Sequence, residues 1–261
     1  MPKQVKESSL NSLSTTSACT EESGKPALVG GSCSHKNNWV GLRPILEQLK
    51  FLFSIADNKV MTRLPNHIGV IPDGNRRWAN RRGLKKEEGY TYGLIAGLNL
   101  LREAKRRGIH ELTYFGFTVD NCKRPKEQVE AFSSACVKAA EMILSEGVLL
   151  NIIGNNKSNC FPPELLPYTE VKACDEEKMR VNLLVNYGWE WDMKNGFPSR
   201  NIPRIDLVIR WGGMSRLSGF LPIQTVYSDI CVLDDLWPDY EDSQFERALK
   251  WYRRQDVTLG G

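Results

Sequence analysis

The chain has 261 residues, with 35 basic and 31 acidic side chains, a net charge of +4, 41% hydrophobic residues and 25% charged residues. This is the make-up of a soluble globular chain long enough for one sizeable core, and it excludes a collagen-like repeat, wholesale disorder and a small disulfide scaffold. No apolar run reaches the roughly 18 residues that a membrane-spanning helix needs, since LKFLFSIA (49–56) is broken at once by Asp57, Asn58 and Lys59.

Seven cysteines (19, 33, 122, 136, 160, 174, 231) are scattered, odd in number and without a CxxC pair. Reduced thiols in a cytoplasmic protein are the expectation. Residues 1–38 are rich in Ser, Thr, Asn and Gly and nearly free of aromatics. Such a segment cannot bury enough apolar surface to offset the entropy of ordering, and reads as a disordered leader without a secretory signal pattern. From 39 to 59, Leu42, Ile45, Leu46, Leu49 and Phe53 recur at helical spacing, which predicts a short amphipathic helix and the place for any peripheral membrane contact.

After Pro65 short apolar runs alternate with helical stretches: HIGVI (67–71), ELTYFGF (111–117), VLLNIIG (148–154), VNLLVNY (181–187) and IDLVIR (205–210). Runs of this kind predict buried strands of a mostly parallel sheet flanked by helices, in one α/β domain over 60–261. Two helical stripes lie between them, Leu94, Leu98 and Leu101, then Val129, Phe132, Cys136 and Ile143.

Ligands of open parallel sheets bind beyond the carboxyl ends of the strands. Three strands here run into unusual polar sequences: PDGNRRW (72–78), TVDNCKRP (118–125) and RWGGMSRLSG (210–219). Pooled, these loops supply a carboxylate in a Gly turn, an Asn, hydroxyls, and Arg76, Arg77, Arg124, Arg210 and Arg216. Arginine forks and glycine-turn N–H groups suit phosphate oxygens, and a carboxylate can hold Mg²⁺ against them, so the mixture points to diphosphate chemistry. Neither GxxxxGK[ST] nor GxGxxG is present. The basic block at 76–86 calls for an anionic partner or forms a solvated face; with Trp78 as its lone aromatic, no nucleic-acid partner is expected.

HIGVIPDGNRRWANRRG, FTVDNCKRP, VNYGWEWD and DLVIRWGGMSRLSGFLPIQTVYSDICVLDDLWPDY together resemble the cis-prenyltransferase family, whose best-known members are undecaprenyl diphosphate synthases; the likeness spans about 65–261. The resemblance implies the undecaprenyl diphosphate synthase fold, a homodimer, and Mg²⁺-dependent condensation of isopentenyl diphosphate with an allylic prenyl diphosphate. It makes Asp73 the central metal carboxylate, with Gly74, Asn75, Arg76, Arg77 and Trp78 around the allylic diphosphate. It assigns Asn121 to proton removal from the condensing isopentenyl unit, beside Thr118, Val119 and Asp120, and gives Arg124 a phosphate contact. Arg210, Ser215, Arg216 and Ser218 fall in the isopentenyl diphosphate clamp, and Asp229 at a second acidic metal position. Each has a plainer reading as well: Asp73 as a turn residue, Asn121 as a loop cap, the arginines as surface pairs. Leu94, Leu98, Leu101, Phe132, Cys136 and Ile143 serve equally as product-tunnel wall or core.

The chain also departs from the pattern. Lys86 and Gly89-Tyr90 stand where an Arg and a Gly-His pair are common, Cys122 replaces a frequent Trp, Met214 a frequent Glu, and Thr258-Leu259-Gly260 lacks a C-terminal Arg that Arg253 or Arg254 would have to replace. Lys86 keeps charge without a fork, and Tyr90 offers a hydroxyl without imidazole titration. These departures leave three readings open. The leading one is head-to-tail synthesis of a short or medium chain; the others are head-to-middle coupling of the lavandulyl type and a non-catalytic partner subunit.

Overall fold

The structure is a computed structural model. The chain divides into a unit of residues 1–49 and a unit of residues 50–261, and the residues described are 63–170 and 178–256, all within the second unit. The expected leader (1–38), the amphipathic helix (39–59) and Thr258–Gly260 lie outside the described residues. No helix among the described residues is long and apolar enough to cross a membrane.

Six strands form one sheet in the order β3-β4-β2-β1-β5-β6, and every pairing is parallel. They are β1 His67–Ile71, β2 Glu111–Phe115, β3 Leu149–Ile153, β4 Arg180–Leu184, β5 Leu207–Arg210 and β6 Asp229–Val232. The first five lie within the apolar runs read from the sequence or one residue outside them. The sixth has only four residues and opens on an aspartate, so the apolar-run pattern does not mark it. The helices are α1 Asn75–Arg81, α2 Glu88–Arg106, α3 Lys126–Ser145, α4 Trp189–Lys194 and α5 Asp242–Arg253. Between β4 and β5 the chain holds only the six-residue α4 and a 3₁₀ turn at Pro198–Asn201.

Alternation along the strands sends side chains to both faces. Ile68 and Val70 join Leu100, Leu112, Ile209 and Phe245 in the larger core under the long helices. Ile71, Phe115, Leu184, Val208 and Phe220 build a smaller core on the other face. Gly69 is required there, because a Cβ on it would lie 2.6 Å from the Phe220 ring.

A buried polar chain crosses four strands below this second core. The His67 Nδ1–H faces the carbonyls of Pro203 and Arg204 at 3.2 Å, which leaves Nε2 to accept from the Thr113 hydroxyl at 2.8 Å. Asn182 Nδ2 donates to Thr113 Oγ1 (3.0 Å) and to Glu111 Oε1 (2.6 Å), and Asn151 Nδ2 donates to Asn182 Oδ1 (3.0 Å). Burial pushes the His67 pKa down to about 4 and raises that of Glu111. The histidine is therefore a neutral link in the chain.

Candidate active site

Because β1 lies between β2 and β5, the loops that follow these three strands are neighbours on the carboxyl rim of the sheet. The β1 loop turns sharply at Gly74, whose φ of 114° suits glycine, and α1 starts one residue later. That turn leaves Asp73 at the rim with its side chain about one-third exposed, its backbone carbonyl accepting from Trp237 N at 3.1 Å.

Arg210, the last residue of β5 and 3% exposed, donates from Nη2 to Asp73 Oδ2 at 2.8 Å. Its Nη1 donates to Ser218 Oγ at 3.1 Å and to the Arg216 carbonyl, while Nε is buried without a partner. Arg77, one helical turn beyond Asp73, lies 3.5 Å from Oδ1 and donates to the Gly212 carbonyl at 2.9 Å. Ser215, Arg216 and Ser218 are exposed on the following turn, where Ser218 has a left-handed φ of 53°.

On the other side of Asp73, residues Val119–Lys123 form a 3₁₀ turn. Asn121 is buried, and its Oδ1 accepts from Thr118 N at 3.1 Å. Thr118 bridges to Tyr187, whose carbonyl accepts from Val119 N. Asp120 points outward and pairs with Lys123 at 2.7 Å. Arg124 reaches Tyr90 Oη at 3.5 Å and lies 5.1 Å above the Phe132 ring, and the Tyr90 and Phe132 rings stack with centroids 3.9 Å apart. Burial lowers the Arg124 pKa, and the nearby Arg76 charge lowers it further. Burial raises that of Tyr90, against the pull of Arg124 and Arg76. Two cations held close enough for one to lower the other's proton affinity favour a polyanionic ligand.

Two expected residues, Trp78 and Asp229, sit away from this cluster. Trp78 is buried against Leu236, and its indole N–H donates to Asp239 Oδ1 at 2.6 Å, so it anchors α1 from below. Lys86 is exposed in the link between α1 and α2. Asp229 opens β6 at the amino edge of the sheet, 3.6 Å from Arg63 Nη2. Val232, three residues on, is level with Arg210, so Asp229 is roughly 15 Å from Asp73 along the strand direction. Within one chain the two carboxylates do not meet. The acid facing the Gly212-Gly213 turn is Asp234, whose Oδ1 is 3.0 Å from where a Cβ on Gly213 would stand.

Below the rim an apolar cleft runs between the sheet and the two long helices. Leu94, Leu98, Phe132, Cys136 and Ile143 line it, as the tunnel reading expects. Leu101 does not, being fully buried in the core. The sequence reading missed the small residues that make room for the cleft, Gly93 and Gly97 on α2 facing Ala135 and Ala139 on α3. Their i, i+4 spacing on successive helices was the available signal. Asn75 and Pro72 close the rim end, with Asn75 Nδ2 donating to the Pro72 carbonyl at 3.2 Å.

Among the described residues no cluster of three His, Cys, Asp or Glu side chains could hold a metal alone. The partly exposed Asp73 carboxylate at an arginine-rich rim does fit Mg²⁺, which is commonly held by one or two carboxylates plus substrate phosphate oxygens.

Comparison with known proteins accords with this geometry. The family model described as putative undecaprenyl diphosphate synthase matches residues 71–200 and 194–260. An isoprenyl transferase of Thermotoga maritima is 32% identical over 230 residues, covering 76% of this chain and 98% of that protein. The Haemophilus influenzae ditrans,polycis-undecaprenyl-diphosphate synthase, named as specific for (2E,6E)-farnesyl diphosphate, is 26% identical, covering 77% and 97%. In fold the chain is similar to lavandulyl diphosphate synthase from Lavandula x intermedia, solved with dimethylallyl diphosphate (TM-score 0.64, 23% identity, covering 76% of this chain and 98% of that one). A probable undecaprenyl diphosphate synthase from Campylobacter jejuni shares it too (TM-score 0.58, 24% identity, covering 77% and 100%). With the family model matched across nearly all of the α/β domain, this chain belongs to the undecaprenyl diphosphate synthase family and is a cis-prenyltransferase.

Proposed function

We propose that the enzyme condenses isopentenyl diphosphate with an allylic prenyl diphosphate, head to tail and with a cis double bond, in a Mg²⁺-dependent reaction. The observation that carries this reading is the Asp73–Arg210–Arg77 rim standing above an apolar cleft lined by both long helices and the sheet. Charged heads are held at the rim and a hydrocarbon tail is buried below it.

In this reading Arg76, Arg77 and Arg124 receive the allylic diphosphate, with Tyr90 orienting Arg124, and Gly74 lets the backbone approach. Arg210, Ser215, Arg216 and Ser218 grip isopentenyl diphosphate. The unpartnered Nε of Arg210 supports this, since a buried donor gains most from an arriving anion. Asp73 would hold Mg²⁺, which when bound neutralises charge on the departing diphosphate. The isopentenyl alkene attacks the allylic carbon as that diphosphate leaves, and a proton is then lost. Asn121 has committed its carbonyl oxygen to Thr118 N, so its NH₂ is left to orient the isopentenyl group. An amide is a poor base, which assigns the proton to a phosphate oxygen or water.

From Phe132 to Ile143 the cleft follows α3 for roughly 16 Å at 1.5 Å per residue. That length suits a product of a few isoprene units. The second subunit of a homodimer belongs to the same proposal. Mass spectrometry of dephosphorylated products, across primers of different lengths and with or without Mg²⁺, tests it. Linear cis products made only with the ion are expected; no product from any primer would leave the partner-subunit reading, and a branched ten-carbon product the head-to-middle one.

A further inference from the structure

The three buried tryptophans each have a hydrogen-bond acceptor for the indole N–H: Trp78 donates to Asp239, Trp211 to Gln244 and Trp237 to the Gly93 carbonyl. Trp189 does not. It is 44% exposed, and among the described residues its N–H has no partner. Its place in the chain ties it to two of the site loops. Tyr187 bridges to Thr118 and accepts Val119 N on its carbonyl at 3.0 Å. Gly188 then passes so close to the Asn121 turn that a Cβ on it would lie 2.7 Å from Val119 Cγ2. Trp189 comes next and lays its pyrrole edge against Gly219, where a Cβ would stand 2.7 Å from Cδ1 and 3.5 Å from Nε1. Gly219 directly follows Ser218, the residue that accepts from Arg210 Nη1 at 3.1 Å.

The backbone that presents this ring is held firmly. Asp192, one turn on in α4 and 3% exposed, accepts from the Tyr187 hydroxyl at 2.9 Å, from Ser199 N at 3.0 Å and from the Ser199 hydroxyl at 2.5 Å. The Ser199 carbonyl in turn accepts from Gln224 Nε2 at 2.9 Å. A donor fixed in this way before its acceptor arrives loses little freedom when the bond forms.

We propose that Trp189 is a substrate-binding residue of the isopentenyl clamp, its indole N–H donating to a diphosphate oxygen of isopentenyl diphosphate. The inference rests on the clamp assigned above to Arg210, Ser215, Arg216 and Ser218, and adds a neutral donor to it. Tryptophan has a donor and no acceptor, so it suits an anion with oxygens in excess. A hydrogen bond to a charged oxygen is roughly twice as strong as one between neutral groups. The ring also covers the Gly219 backbone, where no side chain could lie beside it.

The full chain is titrated calorimetrically with isopentenyl diphosphate alone, which has no allylic partner to react with, and KM is measured for both substrates. Trp189→Phe keeps an aromatic ring over Gly219 and removes the donor. Its dissociation constant and its KM for isopentenyl diphosphate should rise by about tenfold, with the allylic KM unchanged. Trp189→Ala should lose at least as much. Wild-type binding in Trp189→Phe, or an equal rise in both KM values, overturns the proposal. Arg210→Lys measured alongside separates the two assignments. Weakened binding in Arg210→Lys but not in Trp189→Phe removes Trp189 from a clamp that stands, whereas unchanged binding in both brings down the clamp and the proposal together.

Discussion

Arg210 and Asp73 meet at 2.8 Å across the boundary between β5 and β1, with the guanidinium almost wholly buried and the carboxylate partly open. The arginine is only 4% exposed, and its charge is anchored by the aspartate from one side and by Ser218 and the Arg216 carbonyl from the other. Asp73 has two tasks as a result, holding Arg210 in place and presenting an oxygen at the rim.

Separating those tasks is the first prediction. Asp73→Asn keeps an acceptor near Arg210 but loses the charge a cation needs, and is expected to fold normally with turnover down by on the order of 10²-fold or more. Circular dichroism and a labelled isopentenyl diphosphate assay check both halves. Removal of Mg²⁺ with a chelator should abolish turnover of the wild type, and added Mg²⁺ should restore it.

Arg210→Lys retains the charge without the fork that spans Asp73, Ser218 and the Arg216 carbonyl. A raised KM for isopentenyl diphosphate, by about tenfold or more, is expected with a smaller change for the allylic substrate. Equal effects on the two would count against the clamp assignment.

Asn121→Ala removes the acceptor for Thr118 N, a cap of the kind worth about 1 kcal/mol. Asn121→Asp keeps that acceptor. Urea unfolding should therefore show a loss for the alanine variant only, while turnover falls in both if the NH₂ group matters.

Gly93 and Gly97 sit one turn apart on α2 yet should respond oppositely to alanine. A Cβ at position 93 would collide with the Asn75 amide and lie 3.0 Å from the Trp237 ring, whereas one at 97 meets nothing nearer than 3.7 Å. Gly93→Ala is expected to destabilise by about 1–3 kcal/mol. Gly97→Ala should be neutral or stabilising by up to about 1 kcal/mol, and its intrusion into the cleft should shift products toward shorter chains.

Acid should loosen the fold through His67. Its pKa is about 4 in the folded chain against about 6.5 unfolded, so the unfolded state binds more protons between those values. Stability is fully present above pH 6.5 and falls as pH drops toward 4, by an amount of order 3 kcal/mol. Urea titrations at pH 7, 5.5 and 4.5 check this, and a flat profile would show that the imidazole is not held neutral. Glu111, whose pKa is raised, acts in the opposite sense near its own range and blunts the effect.

The five apolar runs announced the strands because a strand buried on both faces has little choice of residue, and the polar loops after three of them announced the rim. β6 and the position of Asp229 were hidden for one reason. Motif order tells which residues share a loop, but not at which end of a parallel strand an acid stands. Trp78 was likewise assigned by its neighbours in sequence, whereas helical geometry turns it 100° per residue away from Arg77 and toward Leu236. The cleft was half legible. Large side chains serve core and tunnel alike, and the facing glycines and alanines that distinguish them acquire meaning only once α2 and α3 are set side by side.

The polar chain runs from His67 at the amino end of β1 through Thr113, Asn182 and Asn151, the middle residues of β2, β4 and β3, and so never reaches the rim, yet it governs alignment there. Sliding β2 or β4 by one residue would turn these groups to the opposite face and strand their donors in hydrocarbon. The sheet is thereby keyed through its middle, and the spacing of the Asp73 and Asn121 loops is dictated by a lock that never touches a substrate.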